Sequence, residues 1–431
     1  MKNYLLLGLF CLMVMPCLAS AATYQPSEVK TCKLSPNTKS YNCAVSKDDK
    51  DFVNWNGQEQ KTYEMLQFVN NPYSGDSTKF IYLAARDNKY YVVLNGKEQK
   101  GYDYINANFV QLSPDSKQIA YVAKNGINTW VVILNNKEYA KSDSEIYNLK
   151  FSPDSKAIVY QKRKNGKSYI FVNNIEQRKY DLIGTLQYSP DSKQLAYVAK
   201  DGGKYFVVWN GKEQIKYTEG DIHKGDLHNG EISRLQFSPD SKELAYIVRK
   251  DFSNIVVVNG KEQPNFGSVA QDTLFSPNSK NFAYILQTSR RDYYYAVVNG
   301  KKQTQFKCDS SFADNDFWKS SMVYSPNSRQ LVFWVLDEQK KYSLIINNKA
   351  IGQFDCSSVS DIVYSPNSKN FAFMCRQSDA DGNEVSDLYL NAKVISTSIL
   401  IFDYKFSLDS KQLVYVALKN GQLKREVINI K

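Results

Sequence analysis

The sequence predicts an all-β fold, a β-propeller of about ten four-stranded repeats. Three observations carry that expectation. First, Asn-Gly or a close variant recurs at Asn56, Asn95, Asn135, Asn173, Asn210, Asn259, Asn299, Asn347, Asn391 and Asn429, a period near 40 residues. Second, a marker best preserved as Ser-Pro-Asp-Ser-Lys begins 21 to 26 residues upstream of each, at Ser35, Ser74, Ser113, Ser152, Ser189, Ser238, Ser276, Ser325, Ser365 and Ser407. Third, the stretches between the markers alternate with a period of two, and none shows the 3.6-residue apolar spacing of helical repeats.

In chain order, residues 1–21 come first and have the features of a secretory signal. Lys2 supplies the positive start, Leu5 to Met15 the apolar core and Ala19-Ser20-Ala21 a small-residue cleavage site. The apolar stretch is short for a membrane span, and Val14-Met15-Pro16-Cys17 is a poor lipidation site. Residues 22–431 are therefore expected to form one exported propeller domain, periplasmic or secreted.

The copy Leu186–Tyr217 shows what one repeat is. Leu186-Gln187-Tyr188 begins a strand, and Ser-Pro-Asp-Ser turns it, with Pro190 presetting φ and Asp191 and Ser192 able to bond local backbone. Gln194–Ala199 is a strand buried on at least one face. Asp201-Gly202-Gly203 turns the chain back into a third strand, Tyr205–Trp209. Asn210-Gly211 is a hairpin signal because both residues accept positive φ, and Lys212–Tyr217 is a shorter, more polar fourth strand. Four antiparallel strands graded from apolar to polar make one blade. With 31 tyrosines and 22 phenylalanines, packing between blades is expected to be aromatic and β-branched.

Ser-Pro-Asp-Ser-Lys-Gln-Leu-Ala-Tyr-Val-Ala-Lys at 189–200, followed by Val-Val-Trp-Asn-Gly-Lys-Glu-Gln at 207–214, resembles the TolB-type, WD-like propeller repeat of exported bacterial proteins. The resemblance covers essentially the whole chain after residue 21. It implies the fold and, by fold analogy, an envelope-associated adaptor role; its motifs are specific for the fold and not for a function, because propellers host many unrelated activities. The family usually has Gly where this chain has the second Ser of Ser-Pro-Asp-Ser, so the turn is expected to be slightly altered.

The last copy ends as a third strand without a fourth, Glu426–Lys431, while Ala22–Gln25 precedes the innermost strand of the first copy. The N-terminal segment is expected to supply the final strand and close one ring; two smaller propellers are the alternative. Five cysteines lie beyond the signal. Cys32 and Cys43 flank one turn and form the expected pair, whereas Cys308–Cys356 competes with Cys356–Cys375. The formal charge of +11 comes largely from lysines in the repeat itself, where they guard exposed strand edges.

Function is expected on one rim. The Ser-Pro-Asp-Ser and Asn-Gly turns share a rim and hardly vary in length. The irregular connections Ile215–Ile232, Thr304–Ser321 and Arg376–Asp387 fall on the other. They carry acidic and aromatic residues that suit a protein or peptide partner bearing basic groups. The candidate partner-binding residues are Glu219, Asp221, His223, Asp226, His228, Asp314, Asp316, Phe317, Trp318, Asp379 and Asp381. His223 and His228 with Asp221 or Asp226 could ligate a metal, but nothing fixes their geometry and an exposed loop is the reading adopted. Asp379–Asn383 starts like a calcium loop and lacks its terminal glutamate, so an Asp-Gly hairpin is expected. No Gly-x-Ser-x-Gly elbow, phosphate-cradling motif or zinc-type cysteine motif occurs. No catalytic residue, metal or cofactor is assigned, although a glycan hydrolase or lyase and an anionic-ligand binder on the same scaffold remain the alternatives. An envelope polysaccharide is a second partner class; nucleic acid is not expected, nor is an integral membrane protein.

Overall fold

The structure is a computed structural model that describes residues 22–218, 232–250, 253–264, 268–288, 293–307, 322–378, 382, 384–398 and 400–430. Ten antiparallel sheets follow one another along the chain, each ordered in sequence from its first strand outward. Blade 4 is the plainest: Ile146–Phe151, Ile158–Lys164, Lys167–Val172 and Ile175–Tyr180. In blade 5 the first strand starts earlier than the sequence suggests, at Leu182. Its fourth strand is two short pieces, Lys212–Glu213 and Tyr217–Thr218, both paired with Lys204–Trp209.

Each seam between blades has its own apolar cluster, because a sheet buried on one face only would leave its other face wet. Tyr63, Tyr82 and Ala84 join blades 1 and 2; Tyr102, Tyr121 and Ala123 join blades 2 and 3. The series runs round to a cluster in which Val29, Leu34 and Tyr41 of blade 1 meet Val414, Val416 and Leu418 of blade 10. That last cluster makes the assembly one closed ring rather than two smaller ones. Each large apolar side chain among them, such as Val29 or Leu34, contributes about 1.5–3 kcal/mol gross on burial.

Consecutive first strands touch around the axis through side chains that reach backbone. Gln111 donates to the Leu149 carbonyl, and Asn148 to that of Gly184. Lys150 donates to Leu186 O at 2.7 Å, and its burial pushes the ammonium below the usual lysine range.

The two sequence markers turn out to be two kinds of fastener. In every copy the fourth residue of the Ser-Pro-Asp-Ser turn, from Thr38 to Ser410, has φ between 59° and 65°. A glycine would adopt this conformation without strain. The hydroxyl explains why serine stands there: its Oγ accepts the backbone N–H of the third turn residue in the preceding blade. Asp115 N donates to Ser155 Oγ at 2.9 Å, Asp154 N to Ser192 at 2.9 Å, and Asp191 N to Ser241 at 3.0 Å. The pattern starts with Asn37 N to Ser77 Oγ and ends with Asn367 N to Ser410 Oγ, spanning nine seams. Within each turn the first Ser hydroxyl donates to the side-chain Oδ1 of the Asp or Asn, as from Ser152 to Asp154 at 2.6 Å.

The asparagines also do more than tolerate positive φ. Asn173, at φ 49°, accepts the Ile158 N–H at 2.9 Å, so its side chain ties the third-to-fourth turn to the start of the second strand. Asn56, Asn95, Asn135, Asn259, Asn299, Asn347 and Asn391 make the same bond. Asn429 instead ends a strand, the last of the three that the described residues form in blade 10.

Ring closure uses Ala22–Gln25 in a different form from a full fourth strand. Tyr24 N donates to Gly421 O at 2.6 Å, and the Tyr24 ring is buried between blades 10 and 1. Its hydroxyl donates to Glu59 and accepts from Asn54. The residues are too few to run the length of Gln422–Asn429, so they fasten one end of that strand. Elsewhere on this seam Leu34 N donates to Asp403 and Lys405 donates to Leu34 O. Disulfides join Cys32 to Cys43, directly opposite one another in blade 1, and Cys356 to Cys375 in blade 9. Of the two pairings open to Cys356 the second is therefore formed; Cys308 lies outside the described residues.

Candidate functional site

The strand order places the Ser-Pro-Asp-Ser and Asn-Gly turns on one rim. The second-to-third and blade-to-blade connections lie on the other. The three irregular connections leave from and return to this second rim, between Thr218 and Ile232, Lys307 and Met322, and Ser378 and Glu384. All eleven sequence-predicted partner-binding residues, Glu219, Asp221, His223, Asp226, His228, Asp314, Asp316, Phe317, Trp318, Asp379 and Asp381, lie outside the described residues. Among the described residues no group of three or more His, Cys, Asp or Glu side chains could hold a metal ion. No described helix is long and apolar enough to cross a membrane.

What the described part of this rim does contain is a groove between blades 3 and 4, about 730 Å³ in volume. Its floor is Tyr169 and Phe171 of the third strand of blade 4, and its walls carry Lys141, Lys162, Lys164 and Lys179. Asp143 and Glu176 lie among them, together with hydroxyls and amides from Thr129, Ser142, Ser144, Asn128 and Asn165. A second hollow of about 610 Å³ shares Ser144, Lys164 and Asn165 with the first and extends toward the axis past Arg163 and Asn148. The two adjoin at these shared residues and are taken together as one trough.

Lys162 is the inner wall. Its Nζ donates to the Lys141 carbonyl at 3.0 Å and stands over the Phe171 ring at 4.7 Å and the Tyr160 ring at 5.6 Å. Burial pulls its ammonium below the usual lysine range, offset in part by Asp143. Lys179 stands over Tyr169 at 5.9 Å. None of Lys141, Lys162, Arg163, Lys164 and Lys179 has a described carboxylate within 4.0 Å. In blade 2, by contrast, Arg86 at the end of the second strand meets Glu98 of the fourth at 3.0 Å, and Lys61 of blade 1 meets the same carboxylate at 2.7 Å. These partners hold Glu98 down to about 2, Arg86 foremost. Lys164 and Glu176 occupy the corresponding places in blade 4 and stay apart.

Sequence reasoning placed the acidic candidates on this rim and overlooked the basic trough. Its lysines come from three separated strands of two blades, and each looks like an ordinary exposed strand-edge lysine. The available signal was register: laid copy over copy, Lys162 stands where the other blades have an apolar residue.

No protein-family model matches the chain, and no curated protein matches it. Solved structures do resemble it. One, titled a eukaryotic initiation factor, shares 12% identity over 82% of this chain and 95% of that chain, with a TM-score of 0.50. An oligogalacturonate lyase in complex with manganese shares 12% identity over 75% of this chain and 97% of that chain, TM-score 0.37. The Dos1 propeller shares 12% over 75% and 92%, TM-score 0.38. At such identity the likeness concerns the fold alone.

Proposed function

We propose that the chain is an exported, non-enzymatic binding platform that receives a protein or peptide partner on the rim opposite its serine turns. The observation that supports this reading is the division of labour between the rims. One rim repeats the same turn, with the same strained serine and the same blade-to-blade bond, round nine seams. Every long connection is on the other. A rigid ring with its variation confined to one side is how propellers present binding residues. The resemblance of the repeat to TolB-type propellers supports an envelope-associated adaptor, and residues 1–21 support export.

The test is capture from envelope extract by the intact protein and by a variant with residues 219–226 and 314–318 removed. The platform reading expects a protein retained by the first and lost by the second, with unchanged melting temperature. Equal retention by both would place the partner elsewhere. Turnover of an envelope polysaccharide by the purified protein would replace this reading with the enzymatic one.

A further inference from the structure

The trough between blades 3 and 4 exists because the repeat is broken there at two matched positions. In seven of the nine copies that continue past the marker asparagine, the seventh residue after it is aromatic: Tyr63, Tyr102, Tyr180, Tyr217, Phe266, Phe306 and Phe354. Where described, that ring packs against the next blade's second strand, always beside the same small or apolar residue. Tyr63 shares a cluster with Ala84, Tyr102 with Ala123, Tyr180 with Ala199, and Phe354 with Cys375. At the end of blade 3 the ring is replaced by Ser142, and the residue it would cover is Lys162. Blade 9 also ends in serine, Ser398, yet the facing position keeps the repeat's alanine, Ala417. Only the seam between blades 3 and 4 combines a lost aromatic plug with a lysine behind it. The neighbouring inward position is altered too: Gln161, fully buried, stands where the other copies are apolar.

Packing does not account for this. Removing a plug and placing an ammonium behind it both weaken a seam. Tyr160 still packs there, but the space beside it is open and lined by four ammonium groups. We infer that this trough binds an acidic oligosaccharide, a chain of hexuronate residues, with Lys162 and its neighbours on the carboxylates. The mixture of linings decides the ligand class. A bare polyanion offers no hydrogen-bond donor to Asp143 and Glu176. A sugar acid offers hydroxyls for those carboxylates and for Thr129, Ser142 and Asn165, and one carboxylate per ring for the lysines. An acidic peptide would need apolar side-chain pockets, and the only rings on the floor are already covered by Lys162 and Lys179. The inference concerns a site separate from the long connections and stands or falls without the partner-capture reading.

The test is calorimetric titration of the full protein with a tetrasaccharide of linked glucuronate, beside the neutral glucose tetrasaccharide and tetraglutamate. Binding is expected for the first, with affinity weakened about tenfold or more by Lys162→Ala and by Ser142→Tyr, which refills the seam. Each variant restores one of the two altered positions to what other seams have, so both are expected to melt no lower than the parent. Lys179→Ala, on the opposite wall, gives an independent loss if either fails to fold. No heat with the uronate, or unchanged affinity in these variants, would overturn the inference. Tighter binding of tetraglutamate, lost in the same variants, would also overturn it and assign the trough to an acidic peptide.

Discussion

The serine at the fourth turn position should behave unlike an ordinary buried hydroxyl, and its two smallest replacements should separate. Take Ser116, Ser155, Ser192 and Ser241, which fasten four consecutive seams. Alanine removes the bond from the preceding blade, about 1 kcal/mol per site, and keeps a Cβ in the left-handed region. Glycine removes the same bond but relieves a conformational cost of roughly 1–2 kcal/mol, less ~0.5–1 for its freer unfolded chain. Four alanines should therefore cost about 4 kcal/mol and four glycines close to nothing. With an unfolding entropy of roughly 2 cal/mol/K per residue, about 4 kcal/mol in a chain of this size is ~5 °C. Differential scanning calorimetry of the two quadruple variants decides it. If the glycine variant falls as far as the alanine one, or neither falls, the hydroxyls do not fasten the ring.

Other consequences follow from the same turns. Asn173→Gly keeps the positive φ and loses the bond to Ile158 N–H, so it should cost about 1 kcal/mol, and Asn173→Ala about twice that, read by urea unfolding. The turn aspartates give a pH dependence. Hydrogen bonds from Ser74 and from Thr78 hold Asp76 down to about 2, and Asp115, Asp154, Asp191, Asp240 and Asp409 are lowered for the same reason. A lowered folded-state value means stability that is complete above about pH 4 and lost as pH falls toward 2. Replacing these six by Asn, the residue four copies already use, should flatten the melting temperature between those limits. At the closing seam, Tyr24→Ala should cost about 3 kcal/mol and raise aggregation on heating, measured by light scattering, because it frees the end of an edge strand. Reduction of Cys32–Cys43, which closes a short loop, should cost about 3 kcal/mol by the chain-entropy relation, seen as a lower urea midpoint.

Period and turn chemistry made the ring legible in advance because they are local. Asn-Gly and Ser-Pro-Asp-Ser specify turns from four residues each, and ten copies in register leave one architecture. The roles of the side chains within those turns were not legible. Ser155 looked like a departure from a glycine turn, since its partner, Asp115, is 40 residues away in sequence and on another blade. Tyr24 illustrates the same limit. Its chain position suggested a strand, whereas what it contributes is one ring and one backbone bond, because three or four residues cannot cover an eight-residue edge. The groove lay beyond single-residue reading for a further reason. Ser142 and Lys162 are unremarkable alone, and acquire meaning only once the register shows that they face each other.

That a ring can carry such a fault follows from its closure. An open stack of blades would part at its weakest seam, since one separation is enough to expose two faces. A closed ring must break two seams at once, so the loss of one aromatic plug, about 3 kcal/mol by analogy with large-to-small core changes, is not where unfolding begins. The remaining fasteners at that seam are intact: Asp115 still donates to Ser155, and Gln111 still reaches Leu149. Both lie toward the serine rim or the axis, whereas Ser142 and Lys162 lie toward the opposite rim. The seam is thus held at one edge and opened at the other. This arrangement lets a single blade pair give up packing for charge without loosening the scaffold. Restoring the plug through Ser142→Tyr should accordingly raise stability while removing the trough, a trade that no other described seam offers.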